Sequence, residues 1–167
     1  TILEGVSCEV RSGEIFLIIG VSGCGKSTLL KHMIGLYPPD AGRILVHGTD
    51  LHALAEEEAN RMRRDMGVLF QSGALIGSMT LFENVALPIL QHTRLPDEMV
   101  ARIVRMKLDM VNLAGYEDLY PAELSGGMRK MAGLARAMAL DPRILFFDEP
   151  SSGLDPISSA ELEATIT

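Results

Sequence analysis

The sequence predicts an α/β domain of parallel strands carrying helices, and three observations predict it. Apolar runs of strand length stand at residues 15–19, 66–70 and 144–147. Runs that are apolar throughout, rather than alternating, mark strands buried on both faces, as in parallel sheets. The first run leads into Gly20-Val21-Ser22-Gly23-Cys24-Gly25-Lys26-Ser27-Thr28 and then into the helix-like Leu29-Leu30-Lys31-His32-Met33-Ile34, a strand, glycine-rich loop and helix in that order. The stretch 72–121 shows helical patterns and no convincing strand, which predicts a helical insert in the α/β domain.

Taken in order, Val6, Cys8 and Val10 alternate with Ser7 and Glu9, the pattern of a half-buried strand. Ser12-Gly13 predicts a turn, and residues 15–19 a fully buried strand. Tyr37-Pro38-Pro39-Asp40-Ala41-Gly42 reads as a loop, followed by a short strand at 43–47 closed by Gly48-Thr49-Asp50. Residues 56–64 form a charged, solvated helix, and residues 66–70 a second buried strand ending at Gln71. Thr80-Leu81-Phe82-Glu83 has the form of a capping box, so a helix starts there, and Pro88 should kink or end it. Pro96-Asp97 opens another helix with Val100, Ile103, Val104, Leu108 and Val111 on one face and Gly115 as its stop. After Glu123-Leu124-Ser125-Gly126-Gly127, the stripe Met128, Met131, Ala132, Ala135, Met138 and Ala139 predicts a helix packed on the core and ended by Asp141-Pro142. A strand at 143–147 runs into Asp148-Glu149-Pro150, and a turn at 151–156 precedes a last helix.

At 167 residues the chain is long enough for one domain with a real core. It is 47% hydrophobic with a mean hydropathy of +0.21, apolar for a chain without any run as long as a membrane span. This predicts a soluble, intracellular chain that keeps some apolar surface for a partner. A net charge of −7 argues against non-specific nucleic-acid binding, which needs basic surface. The two cysteines, Cys8 and Cys24, have no metal-type spacing, consistent with reduced thiols.

The glycine-rich loop carries the chemistry. Glycines let successive backbone N–H groups converge on one anion with no Cβ in the way. A helix starting near Lys26 adds the positive end of its dipole. Lys26 can reach terminal phosphates, and the Ser27 hydroxyl suits a magnesium ion. The four fixed letters of such a loop would match by accident in roughly half a percent of chains this long. Asp148-Glu149, at the end of a strand, supplies what the loop lacks: Asp148 can hold magnesium, usually through water, and Glu149 can orient and deprotonate an attacking water. Ser125-Gly126-Gly127 is a second small, glycine-rich turn at a helix start. It is either an ordinary serine N-cap or a second anion site that closes on a nucleotide held by another copy of the chain.

Four motifs in this order resemble the ATP-binding cassette (ABC) ATPases: the loop at 20–28, Gln71 after a strand, Leu124-Ser125-Gly126-Gly127, and Asp148-Glu149. Ser152-Gly153-Leu154-Asp155 resembles the D-loop of that family. The resemblance implies a P-loop NTPase (RecA-like) core, a small antiparallel β-subdomain and an α-helical subdomain that meets a membrane partner. It divides the single domain 1–167 into a nucleotide-binding core, 1–71 and 141–167, and a helical subdomain, 72–140. Gly20, Ser22, Gly23, Cys24, Gly25, Lys26, Ser27 and Thr28 would hold ATP; Ser27, Gln71 and Asp148 would serve Mg2+; Glu149, Gln71 and Lys26 would be catalytic. Ser125, Gly126 and Gly127 would close on the ATP of the opposite subunit of a homodimer.

A finer resemblance lies in Leu69-Phe70-Gln71-Ser72-Gly73-Ala74-Leu75, in residues 79–88, in Gln91-His92-Thr93 and in Met128, where many cassettes have Gln. These are similar to the ATPases of Mla-type phospholipid transporters. That similarity implies permease subunits and an MCE-domain protein as partners, no nucleic acid, and a peripheral position on the cytoplasmic face of the inner (plasma) membrane. The runner-up is a lipoprotein-release or macrolide-export ATPase, which has a similar Glu-Asn-Val-x-x-Pro stretch; a non-transport cassette is the third alternative. The pattern departs from the family at two places. All four histidines precede Glu149, so no switch histidine follows it; the only aromatic before the loop is Phe16, in an expected buried strand, so the adenine-stacking aromatic of the family is missing too. The expectation is therefore a cassette truncated at both ends that, alone, hydrolyses ATP weakly.

Overall fold

The computed structural model describes residues 3–166, which fall into two compact units divided between Ala59 and Asn60. In the first unit the turn at Ser12-Gly13 forms: the Glu14 N–H donates to the Arg11 carbonyl at 3.1 Å, and Gly13 takes φ +77. The strands expected at 6–10 and 15–19 do not form. Ile15, Leu17 and Ile19 are 72%, 75% and 85% exposed. A doubly buried strand needs hydrogen-bonded neighbours and covering side chains. The one ladder among the described residues of this unit lies elsewhere in it.

Helix α1 (Lys26–Met33) starts where the sequence places it. The ladder is a two-residue hairpin of β1 (Leu45–Val46) and β2 (Thr49–Asp50), antiparallel, with Leu45 opposite Asp50. His47 and Gly48 both take positive φ, +50 and +79, the type I′ pattern whose twist matches the strands it joins. The expected closing turn thus reaches only to Gly48, and Thr49-Asp50 is the return strand. Helix α2 (Glu56–Arg64) carries Glu56, Glu57 and Glu58 in its first turn and Arg61, Arg63 and Arg64 in its last, matching the helix dipole at both ends.

The second unit holds the core. Strand β3 (Met66–Leu69) pairs in parallel with β4 (Ile144–Phe147), with Met66 opposite Ile144 and Leu69 opposite Phe147. Gly67 and Leu69 are buried while Met66 and Val68 are half-buried, so β3 is covered more on one face than the uniform run predicts. A Cβ on Gly67 would overlap the Ala137 carbonyl, so glycine is what lets the backbone at Ala137 approach the strand.

Helix α3 (Leu81–His92) opens on the expected capping box: Thr80 Oγ1 accepts from the Glu83 N–H at 3.2 Å, and Glu83 Oε2 accepts from the Thr80 N–H at 2.7 Å. It does not end at Pro88 but runs on to His92. Val85, Ala86 and Ile89 around the proline are at most 1% exposed, and their burial offsets the one N–H the proline removes. Asn84, fully buried, accepts from the Ile76 N–H and donates to the Ile76, Met79 and Thr80 carbonyls, tying down the loop before α3.

Helix α4 (Asp97–Met110) buries Val100, Val104 and Leu108 with Val111 just beyond, the face the sequence marks. It stops before Gly115, because Asn112 takes the left-handed conformation (φ +58) and the Leu113 N–H returns to the Leu108 carbonyl at 2.8 Å. Helix α5 (Gly126–Ala137) lays Met131, Ala132, Leu134 and Ala135 into the same core, and α6 (Pro156–Ile166) adds Leu162. Asp155 caps α6, accepting from the Ser158 N–H at 3.1 Å.

Lys107 sits in this core with its side chain 4% exposed, and its ammonium pairs with Asp141 at 2.5 Å. Asp141 holds φ +50, a conformation Asn also tolerates. Asp141→Asn therefore isolates the charge: unfolding free energy should fall by about 1–2 kcal/mol, less than for a pair buried on both sides because Asp141 is solvated. Urea denaturation of the purified protein measures it; a change below about 0.5 kcal/mol, the size of an ordinary surface effect, would mean that the pair contributes nothing.

Candidate active site

In the first unit the loop at 20–28 is shaped by its glycines. Gly23 and Gly25 take φ +78 and +103, and Gly25 is the residue on which α1 starts. A Cβ on Gly20 would lie 2.6 Å from the Cys24 sulfur. The Cys24 N–H donates to the Val21 carbonyl at 3.3 Å, closing the loop on itself. Lys26 Nζ reaches back across the loop to donate to the Gly20 and Val21 carbonyls at 3.0 and 3.1 Å. The result is a backbone cradle with a lysine across its mouth and the positive end of a helix at its base. Ser22, Ser27 and Thr28 lie in the same segment. This donor set fits a polyphosphate. Cys24, like Cys8, is an exposed free thiol.

In the second unit the parallel register builds the remaining chemistry. Leu69 pairs with Phe147, and the Asp148 N–H donates to the Leu69 carbonyl at 2.9 Å, one step past the ladder. Gln71 and Glu149, each two residues beyond a paired strand end, leave the sheet at one level. Gln71 Nε2 donates to Glu149 Oε2 and to Ser152 Oγ, both at 3.3 Å. Glu149 holds φ +48, uncommon for a non-glycine residue and costing about 1–2 kcal/mol. The Ser152 N–H donates to the Glu149 carbonyl at 3.1 Å, tightening the turn that follows.

Ser125 acts as an N-cap, its Oγ accepting from the Met128 N–H at 3.1 Å. Of the two glycines after it, Gly126 faces open space, while a Cβ on Gly127 would meet Ser158 Oγ at 2.8 Å. Gly127 thus serves a close packing of α5 on α6.

Sequence reasoning missed what α5 does to the loops that follow β3 and β4. Lys130, 5% exposed, donates to the carbonyls of Glu149, Pro150 and Ser152. Burial pulls its ammonium below the ordinary lysine value, with the Glu149 carboxylate opposing that shift. Arg136 donates to the Ala74 and Gly73 carbonyls at 2.8 and 3.1 Å, just after Gln71, and burial lowers its guanidinium pKa. Gly73 and Gly133 bring the loop and helix into backbone contact: a Cβ on Gly133 would lie 2.8 Å from the Gly73 carbonyl. The available signal was a lysine directly followed by Met131-Ala132-Gly133-Leu134-Ala135, a run with no polar side chain.

The ABC transporter family model matches residues 3–152. The chain is 48% identical, over 165 residues and 99% of its length, to the probable ribonucleotide transport ATP-binding protein mkl of Mycobacterium leprae, of which it covers 48%. It is 49% identical over 157 residues, 94% of its length, to the intermembrane phospholipid transport system ATP-binding protein MlaF of Haemophilus influenzae, of which it covers 60%. The chain thus spans about half to three-fifths of the length of the curated relatives it matches. Among solved structures, the dimeric ATP-binding cassette MJ0796 in a post-hydrolysis state with ADP and Pi superposes with a TM-score of 0.91 at 30% identity, over 99% of this chain and 73% of that one. The cradle, the strand-end carboxylates and these matches agree: the chain belongs to the ABC transporter family, as an ATP-binding cassette.

Proposed function

We propose that this chain belongs to the ATP-hydrolysing subunit of a transporter that moves phospholipid between membranes. The observation that carries the hydrolytic reading is the Gln71–Glu149 contact at the level where β3 and β4 end. A carboxylate held beside a carboxamide is suited to orient one water molecule and take its proton as the water oxygen attacks the terminal phosphorus. The bond to the leaving ADP oxygen breaks as the new P–O bond forms. Lys26 and the loop glycines, with Ser22, Cys24 and Thr28, bind the phosphates. Ser27, Asp148 and Gln71 would be the residues to hold a magnesium ion, which would supply positive charge to offset that of the phosphates. Residues 1–71 and 141–167 form the nucleotide-binding core, and residues 72–140 the helical part.

Ser125, Gly126 and Gly127 complete the site of a second copy; the dimeric form of the MJ0796 cassette supports that arrangement. Among the described residues no helix is long and apolar enough to cross a membrane. In this reading permease subunits supply the pathway. A groove lined by Arg63, Met66, Leu87, Pro88, His92 and Arg136 offers such a subunit a seat beside the Gly73–Ala74 carbonyls. The phospholipid assignment rests on the similarity to MlaF, 49% in Haemophilus influenzae and 45% in Escherichia coli K12, and on the residues after Gln71. With it come an MCE-domain partner and a peripheral place on the cytoplasmic membrane face. The mkl relatives, named for ribonucleotide transport, favour a second reading.

Purification of the full-length protein from native membranes in mild detergent separates these, with mass spectrometry of the co-purifying proteins and small molecules. A permease, an MCE-domain protein and bound phospholipid are expected. Bound ribonucleotide cargo without phospholipid, or a lipoprotein or drug permease, would replace the lipid assignment. Ribosomal or DNA-associated partners would remove the transport role.

A further inference from the structure

We propose that Lys130 is a positioning residue for Glu149, holding the backbone of the catalytic turn so that the carboxylate meets Gln71. The inference rests on the hydrolytic reading above.

A buried ammonium is costly unless its donors are satisfied. Lys130 is 5% exposed, and its Nζ donates to the carbonyls of Glu149 at 3.3 Å, Pro150 at 2.7 Å and Ser152 at 2.5 Å. An ammonium has three protons, and the turn offers one carbonyl to each. All three acceptors lie in the segment that begins at the proposed base. That segment needs an external tie, because Glu149 sits at φ +48 and such a conformation persists only when its surroundings over-determine it. Pro150 biases the residue before it away from the right-handed helical region without selecting the left-handed one. Lys130, by drawing the Glu149, Pro150 and Ser152 carbonyls to one point, selects the conformation that is observed. Its two consequences are visible: Glu149 Oε2 and Ser152 Oγ both reach Gln71 Nε2 at 3.3 Å. Lys130 lies on α5, the helix that Ser125 caps, so the base is tied to the same rigid element that carries Ser125-Gly126-Gly127.

The test uses the full-length protein in its intact transporter complex. Lys130→Met keeps the length of the side chain and removes its donors. The expected result is a fall in kcat of about 10–100-fold, the scale of a misplaced reacting group, with the KM for ATP within about twofold. In a Glu149→Gln background the same substitution should lower residual turnover by less than about twofold, because the group it positions is already gone. Wild-type kcat in Lys130→Met, a loss confined to KM, or an equal loss in both backgrounds would overturn the proposal. Should Lys130→Met fail to assemble, Lys130→Gln carries the test. Its shorter stem and two donors cannot span the three carbonyls, so an intermediate kcat is expected and wild-type turnover overturns the proposal. If Glu149→Gln itself hydrolyses ATP at the wild-type rate, the base assignment falls; if that variant is inactive and Lys130→Met is normal, only the role of Lys130 falls.

Discussion

Replacing Glu149 with Gln should stop turnover in the full-length protein while leaving ATP bound. The substitution keeps the shape of the side chain and an oxygen that can still accept from Gln71 Nε2, now 3.3 Å from Glu149 Oε2. What it removes is the capacity to accept a proton from water. A positioned general base is worth about 10²–10⁴-fold, so kcat should fall by that factor with little change in ATP affinity. In the proposed mechanism the substitution also removes a negative charge that would oppose the terminal phosphate, so the ATP-bound, closed dimer is expected to persist. Steady-state phosphate release, nucleotide titration and size-exclusion chromatography with ATP measure the three effects. Normal hydrolysis by the variant would mean that another group takes the proton.

The opposite pattern is expected of Lys26→Ala. Lys26 Nζ lies across the loop, bonded to the Gly20 and Val21 carbonyls at 3.0 and 3.1 Å, and is a flexible cation at the cradle formed by residues 20–25. Bound phosphate replaces or adds to those acceptors with a charged one. A hydrogen bond to a charged group contributes about 1.5–3 kcal/mol, so the ATP dissociation constant should rise about 10–100-fold. The alanine also removes the strap that holds the two carbonyls together, and the loop becomes less preorganised for its ligand. Calorimetric titration with a non-hydrolysable ATP analogue measures the loss, and a thermal melt without nucleotide shows whether the fold survives. An unchanged dissociation constant would remove Lys26 from the phosphate site. Together the two variants separate binding from chemistry: one loses affinity, the other loses turnover.

The sequence by itself determined the features made within a few residues of chain. The Thr80–Glu83 capping box, the Ser125 cap, the turn at Gly13, the start of α1 at Lys26 and the buried face of α4 were all legible. Each depends on partners no more than about one helical turn away, or on a repeat that matches the helix period. Only the tertiary structure decided the contacts between distant segments. Hydropathy says that residues 15–19 favour burial but names no strand to pair with them, and there the expectation failed. The continuation of α3 past Pro88 was set by the core around it, against local propensity. Gln71 and Glu149 are 78 positions apart, and they meet because the β3–β4 register ends both strands at one level. Lys130 reads locally as one more polar residue on a helix. Its three carbonyl partners lie 19, 20 and 22 residues further on, and neither period nor propensity encodes where a folded chain brings them.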